Sequence, residues 1–265
     1  MPFMEAHGAR LRYRLEGKSG APIIVFSNSL GTNLSMWDPQ VAALRDDFRI
    51  LRYDTRGHGL SSVPAAPYTQ QQLGRDVLAL MDALEIRYAN FCGLSMGGQV
   101  GLWLGAHAGD RFARMVLCDT AAHIGNHEIW NTRAATIRAG GMPAIVDATI
   151  GRWFTQRFIT QAPEEIACVR RMILDTPPQG YIACCEAIRD TDLTSDAAGV
   201  TAPTLVISGT HDLATPPAQG RELASMIGGG RFLELDASHL SNIEAEPQFT
   251  AALREFLSAA AAPAG

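Results

Sequence analysis

Polar and apolar residues alternate over positions 9–15 (Ala-Arg-Leu-Arg-Tyr-Arg-Leu), the period-two signature of a half-exposed strand. Positions 23–26 (Ile-Ile-Val-Phe) are instead an unbroken apolar run, as in a strand buried on both faces. Further short apolar runs fall at 48–53, 88–92, 115–118, 204–207 and 231–235. Between most of them lie stretches of helical periodicity, at 69–84, 96–108, 218–227 and 247–259. Strands alternating with helices predict an α/β protein: a mostly parallel sheet, here of eight strands, with helices on both faces and antiparallel first strands at one edge.

The rhythm breaks after Asp119 and resumes near Thr201, a gap far longer than the connections of a compact α/β unit. Four helical patterns occupy it, at 130–139, 143–154, 163–174 and 181–189, with Gly140-Gly141 and Pro177-Pro178 as breakers. The expected organisation is therefore a core formed by residues 1–120 and 201–265, with an inserted helical cap at 121–200. The alanine-rich tail after Phe256 is expected to fray.

Composition narrows the function classes. At 265 residues and 47% hydrophobic the chain can bury a sizeable core, and no run approaches the roughly 20 apolar residues of a membrane span. The start, Met1-Pro2-Phe3-Met4-Glu5, lacks the basic residues and apolar run of a signal peptide, so a cytoplasmic location is expected. Five cysteines without C-x-x-C spacing read as buried free thiols. A net charge of −5, with no Lys/Arg cluster interleaved with aromatics, argues against a nucleic-acid partner. No glycine-rich phosphate loop follows a strand, and no cofactor is expected.

The strongest chemical signal is Gly93-Leu94-Ser95-Met96-Gly97, a G-x-S-x-G pattern between an apolar run and a helical stretch. In that setting the chain turns sharply and lifts the serine hydroxyl above the sheet. A hydroxyl is a weak nucleophile and needs a base, itself oriented by a third group. His239, between the last strand and the last helix, fits the base. Asp212, just past the strand at 204–207, fits the orienting acid, with Asp119 at the end of the preceding strand as its rival and Asp236 less suited. The N–H of Met96 and the N–H of Leu30, in the loop Asn28-Ser29-Leu30-Gly31, are expected to bind the oxyanion.

Other groupings carry less. His123, His127 and Glu128 have a spacing that suits a metal only on one continuous helix, and Gly125-Asn126 interrupts it. Asp54-Thr55-Arg56-Gly57-His58-Gly59 reads as a tight turn beside the site. In the cap, Trp130, Arg133, Arg138, Arg152, Trp153 and Arg157 combine aromatic surface with guanidinium forks suited to a carboxylate.

From Asn28 to His239 the chain resembles the 3-oxoadipate enol-lactonases, members of the α/β-hydrolase superfamily. The resemblance rests on Ser27-Asn28-Ser29-Leu30-Gly31-Thr32, Asp54 to Gly59, Phe91 to Gly98, Pro178-Gln179-Gly180-Tyr181, Gly209 to Pro217 and Ala237 to Ser241. The elbow and the Asp/His segments are shared across the superfamily. Asn28-Ser29, where most members have His-Gly, is the enol-lactonase pattern. The resemblance implies Ser95-His239-Asp212 acyl-enzyme hydrolysis of a small anionic lactone in aromatic catabolism, with Arg133, Trp130 and Trp153 as substrate contacts. A broader carboxylesterase or a carbon–carbon-bond hydrolase would use the same triad, and a ligand receptor would keep it without turnover. Ser95 speaks against dehalogenases and epoxide hydrolases, which carry aspartate at the elbow.

Overall fold

A computed structural model describes residues 2–258, so part of the alanine-rich tail expected to fray lies outside the described residues. Eight strands form one sheet in the order β1-β2-β4-β3-β5-β6-β7-β8. They are β1 (Phe3–Ala6), β2 (Ala9–Gly17), β3 (Ile23–Ser27), β4 (Arg49–Tyr53), β5 (Ala89–Leu94), β6 (Phe112–Cys118), β7 (Thr204–Gly209) and β8 (Arg231–Leu235). β1 pairs antiparallel with β2, and β2 with β4; the remaining pairs are parallel. Side chains alternate between faces along a strand, and every residue of β5 and of β7 is buried, so both faces of the sheet are covered there.

The helices are α1 (Asp38–Leu44), α2 (Gln70–Ala83), α3 (Met96–His107), α4 (His127–Gly140), α5 (Pro143–Trp153), α6 (Gln156–Gln161), α7 (Pro163–Asp175), α8 (Pro178–Arg189), α9 (Thr194–Ala197), α10 (Pro217–Met226), α11 (Ser241–Glu244) and α12 (Glu246–Ser258). Their starts follow capping chemistry. Thr69, Asn126 and Thr155 each accept a first-turn N–H of α2, α4 and α6. Pro177-Pro178, expected to break structure, instead begins α8, because a proline in the first turn has no N–H to waste.

Helices α4 to α9 lie between β6 and β7, in the segment expected to form a cap, with α4 packed on both α5 and α8. The periodicity reading missed β1, too short for alternation to register, and the short helices α1, entered through Pro39, α6, α9 and α11. Cys92, Cys118, Cys184 and Cys185 are buried free thiols, but Cys168 is exposed on α7, contrary to expectation. Among the described residues no helix is long and apolar enough to cross a membrane.

Candidate active site

The chain leaves β5 at Leu94 and enters α3 at Met96, which leaves Ser95 alone to make the turn at φ +57°, ψ −114°. That left-handed conformation costs a non-glycine residue on the order of 1–3 kcal/mol and persists only where its surroundings enforce it. Here the Ser95 N–H donates to the Cys118 carbonyl at 2.8 Å, and Thr120 Oγ1 donates to the Ser95 carbonyl at 2.8 Å. The flanking glycines answer to close backbone approach. A Cβ on Gly93 would lie 2.1 Å from the Gly97 carbonyl oxygen, and one on Gly97 would lie 2.3 Å from the Ser27 carbonyl oxygen.

His239 follows β8 and is buried, with its Nδ1 2.8 Å from Asp212 Oδ2. Asp212 is itself held by the N–H groups of Ala214 and Thr215, at 2.7 and 3.0 Å, and by Thr215 Oγ1 at 2.7 Å. Burial pushes the Asp212 carboxyl upward, but the charge and hydrogen bond of His239, with the Thr215 bonds, outweigh it and hold the group below the usual carboxylate range. With Nδ1–H directed at a carboxylate, Nε2 is left as the acceptor that a nucleophile's proton requires.

Asp119 takes no part in that pair. It is fully buried, its Oδ1 accepts the Gly209 N–H at 2.8 Å, and its Oδ2 lies 2.5 Å from Ser241 Oγ. Burial first, then the negative charge of Asp212, raise its carboxyl well above the ordinary range. Asp236 is exposed and bonds His211 Nε2 at 2.9 Å and Arg157 at 3.1 Å.

Ser95 and His239 line one cavity of about 190 Å³, whose walls include Leu30, Trp130, Arg133, Arg152 and Trp153. Leu30 sits just past β3, Met96 heads α3, and neither N–H donates to another group among the described residues. All three cap residues expected to face substrate reach this cavity: Trp130, its indole N–H fixed to the Ile124 carbonyl at 2.7 Å; Trp153, tilted over His239 at 5.9 Å; and Arg133. Arg138 and Arg157 do not, being paired with Glu186 and Asp236 at the surface.

Residues 22–161 match the model of the alpha/beta hydrolase fold family. The chain is 42% identical to 3-oxoadipate enol-lactonase 2 of Acinetobacter baylyi over 92% of its length and 91% of that protein. It is also 42% identical to enol-lactonase 1 of the same organism, over 91% of each chain. The solved structure of the enol-lactonase from Burkholderia xenovorans LB400 superposes with a TM-score of 0.96 at 53% identity, covering 97% of this chain and all of that one. The chain belongs to the 3-oxoadipate enol-lactonase family of α/β-hydrolases.

Sequence reasoning missed four contributors to this enol-lactonase site. His58 lies in the turn after β4, where its Nε2 accepts the Gly31 N–H at 2.9 Å. Its Nδ1, 3.3 Å from the Arg56 carbonyl, carries the ring proton, and burial lowers its pKa to about 4. Tyr181 of α8 packs against Gly31 so closely that a Cβ there would lie 2.7 Å from its ring. Arg133 Nη1 donates to the Tyr181 hydroxyl at 3.1 Å. Thr215 braces Asp212, and Glu244 accepts the Ser238 N–H at 3.0 Å, next to His239. His58 left a trace in the sequence as a histidine in a polar turn at the end of a sheet strand, where α/β sites form, and Tyr181 and Thr215 fall in segments that carry the resemblance without a role having been read for them.

Proposed function

We propose that residues 1–120 and 201–265 form the catalytic core, that 121–200 cap it, and that the chain hydrolyses 3-oxoadipate enol-lactone with Ser95 as nucleophile, His239 as general base and Asp212 as its orienting acid. The observation that carries this reading is one cavity lined by Ser95, His239 and the Arg133 guanidinium, with His239 bonded to Asp212.

Ser95 Oγ attacks the lactone carbonyl while His239 Nε2 takes its proton, and the N–H groups of Leu30 and Met96 receive the oxyanion. Collapse breaks the ring C–O bond and releases an enol oxygen, a better leaving group than an alkoxide. The enol, protonated from His239, tautomerises to the ketone and draws the reaction forward. Water, deprotonated by His239, then attacks the acyl-enzyme, and Ser95 leaves with a proton. The product carries two carboxylates. Arg133 holds the one already present in the lactone, with Trp130 and Trp153 against the ring. A small anionic lactone needs no cofactor for this chemistry, and a cytoplasmic location fits a catabolic role.

The test is loss of enol-lactone absorbance, with the lactone generated in situ, for wild type and Ser95→Ala side by side. Turnover abolished in the variant is expected. Cleavage of aryl esters without lactone turnover would leave the triad standing and replace the substrate.

A further inference from the structure

Arg133 of α4 and Arg152 of α5 form a like-charged pair whose counterion the fold does not supply. Both line the cavity that holds Ser95, and both line a second cavity of about 390 Å³ between α4 and α5. Among the described residues neither forms a salt bridge with a carboxylate: Arg133 donates to the neutral Tyr181 hydroxyl, and the Arg152 guanidinium has no hydrogen-bond partner. Glu128 borders the second cavity but is exposed and joins neither arginine in an ion pair. Of the other arginines in this segment, Arg138, Arg157, Arg170 and Arg189 pair with an acid, and Arg171, which does not, is exposed to solvent on α7. Burial and then the charge of Arg133 lower the Arg152 pKa, which reports the proximity of the two cations.

Bringing two guanidiniums together beside a partly enclosed cavity is unfavourable unless an anion joins them. We infer that Arg152 is the second arm of a two-guanidinium carboxylate site, set in the wall shared by the two cavities, and that it selects anionic lactones over neutral ones. This rests on the proposed activity only for the identity of the ligand. The chemistry itself requires a small carboxylate whose carbon chain extends toward Ser95. A planar guanidinium can donate two parallel N–H bonds to a carboxylate, and two such forks can satisfy both oxygens from separate sides.

The probe is adipate, an unreactive six-carbon dicarboxylate, used to inhibit hydrolysis of 4-nitrophenyl acetate. A competitive inhibition constant is independent of kcat, so changes in triad competence do not enter it. Arg152→Met is expected to raise the adipate constant about tenfold or more, the loss typical of a hydrogen bond to a charged group. Arg152→Lys, which keeps charge but loses the fork, should fall between. Adipamide, the uncharged diamide, should bind wild type and Arg152→Met alike. Adipate inhibition unchanged within twofold in Arg152→Met, or an equal weakening of adipamide, would overturn the assignment. Should the Met variant fail to fold, Arg152→Gln answers the same question. Turnover of the lactone by wild type is a separate readout. A wild type that ignores the lactone yet loses adipate affinity on Arg152→Met keeps the carboxylate site and discards the substrate; the reverse pattern keeps the substrate and discards Arg152.

Discussion

The imidazole of His58 accepts the backbone N–H of Gly31 across 27 residues of sequence, at 2.9 Å. Gly31 follows Leu30, whose own N–H is the proposed oxyanion donor, so a buried neutral histidine fixes the aim of a backbone dipole. Removing that acceptor strands a buried N–H, a cost of about 1–3 kcal/mol, and loosens the loop. His58→Ala should lower kcat by roughly 100-fold, as small misplacements in active sites do, with His58→Gln retaining more because its Oε1 can accept the same N–H. Steady-state kinetics of the two variants on one ester checks this, and equal rates for both would disprove the acceptor role.

The same residue gives a pH dependence. The folded pKa of His58 is lowered from 6.5 to about 4, so between those values the unfolded chain binds the extra proton. Its contribution is present in full above about pH 6.5 and is lost as pH falls toward 4, by about 3 kcal/mol over the whole window. Urea denaturation at pH 7 and pH 5 should show wild type losing more stability on acidification than His58→Gln, which has no ring to protonate.

Asp212 and Asp119 should respond oppositely to amidation. Asp212→Asn removes the acceptor that fixes the His239 tautomer, and kcat should fall by about 10⁴-fold. Asp119, whose carboxyl burial pushes well above the ordinary range, accepts the Gly209 N–H on Oδ1 and the Ser241 hydroxyl on Oδ2; an asparagine oxygen keeps the first bond, and the Ser241 hydroxyl can turn to accept from the new NH₂ group. Asp119→Asn should therefore stay within about tenfold of wild type. A collapse of activity in Asp119→Asn with survival of Asp212→Asn would reverse the assignment.

Arg133→Ala should raise KM for the lactone by about 10- to 100-fold while changing KM for a neutral ester far less. Equal changes for both substrates would remove Arg133 from carboxylate binding. The Tyr181 bond gives it a second duty, because a shifted Tyr181 would release its hold on Gly31.

Gly97→Ala tests the elbow itself. The new methyl would meet the Ser27 and Asn28 carbonyl oxygens at 2.3 and 2.9 Å, so β3 and α3 must part. A loss of several kcal/mol in stability is expected, a size reserved for steric conflict in a packed core. Thermal unfolding of the variant beside Ser95→Ala, which adds no atoms, measures it.

What the sequence disclosed and what it withheld follow a physical division. Ser95, His239 and Asp212 were readable because each sits at a fixed point of the strand-helix rhythm, where pattern and chemistry coincide. β2 was readable by its alternation and the other longer strands as short apolar runs, whereas Phe3–Ala6 is too short to show a period. His58 was read only as part of a turn because its partner lies in another loop that packing alone brings near. The cap arginines were indistinguishable in the sequence: Arg133 and Arg138 share α4, yet one meets the cavity and the other meets Glu186. Which way a helix rolls is decided by its neighbours, and a single helix does not announce them.

The join between cap and base runs through a short stretch of backbone. Ser238 Oγ donates to the Arg152 carbonyl at 3.1 Å, Leu240 N–H donates to the Trp153 carbonyl at 3.2 Å, and Glu244 accepts both the Thr155 hydroxyl and the Ser238 N–H. The segment that carries His239, the proposed base, is thus sewn to the end of α5 on either side of that residue. A chimera that imports a foreign cap across 121–200 would cut those stitches and leave the imidazole without its outer wall, even with every triad residue intact. Grafts between relatives should therefore carry 236–244 along with the cap, because the transferable unit of specificity here includes the loop that holds the proton acceptor.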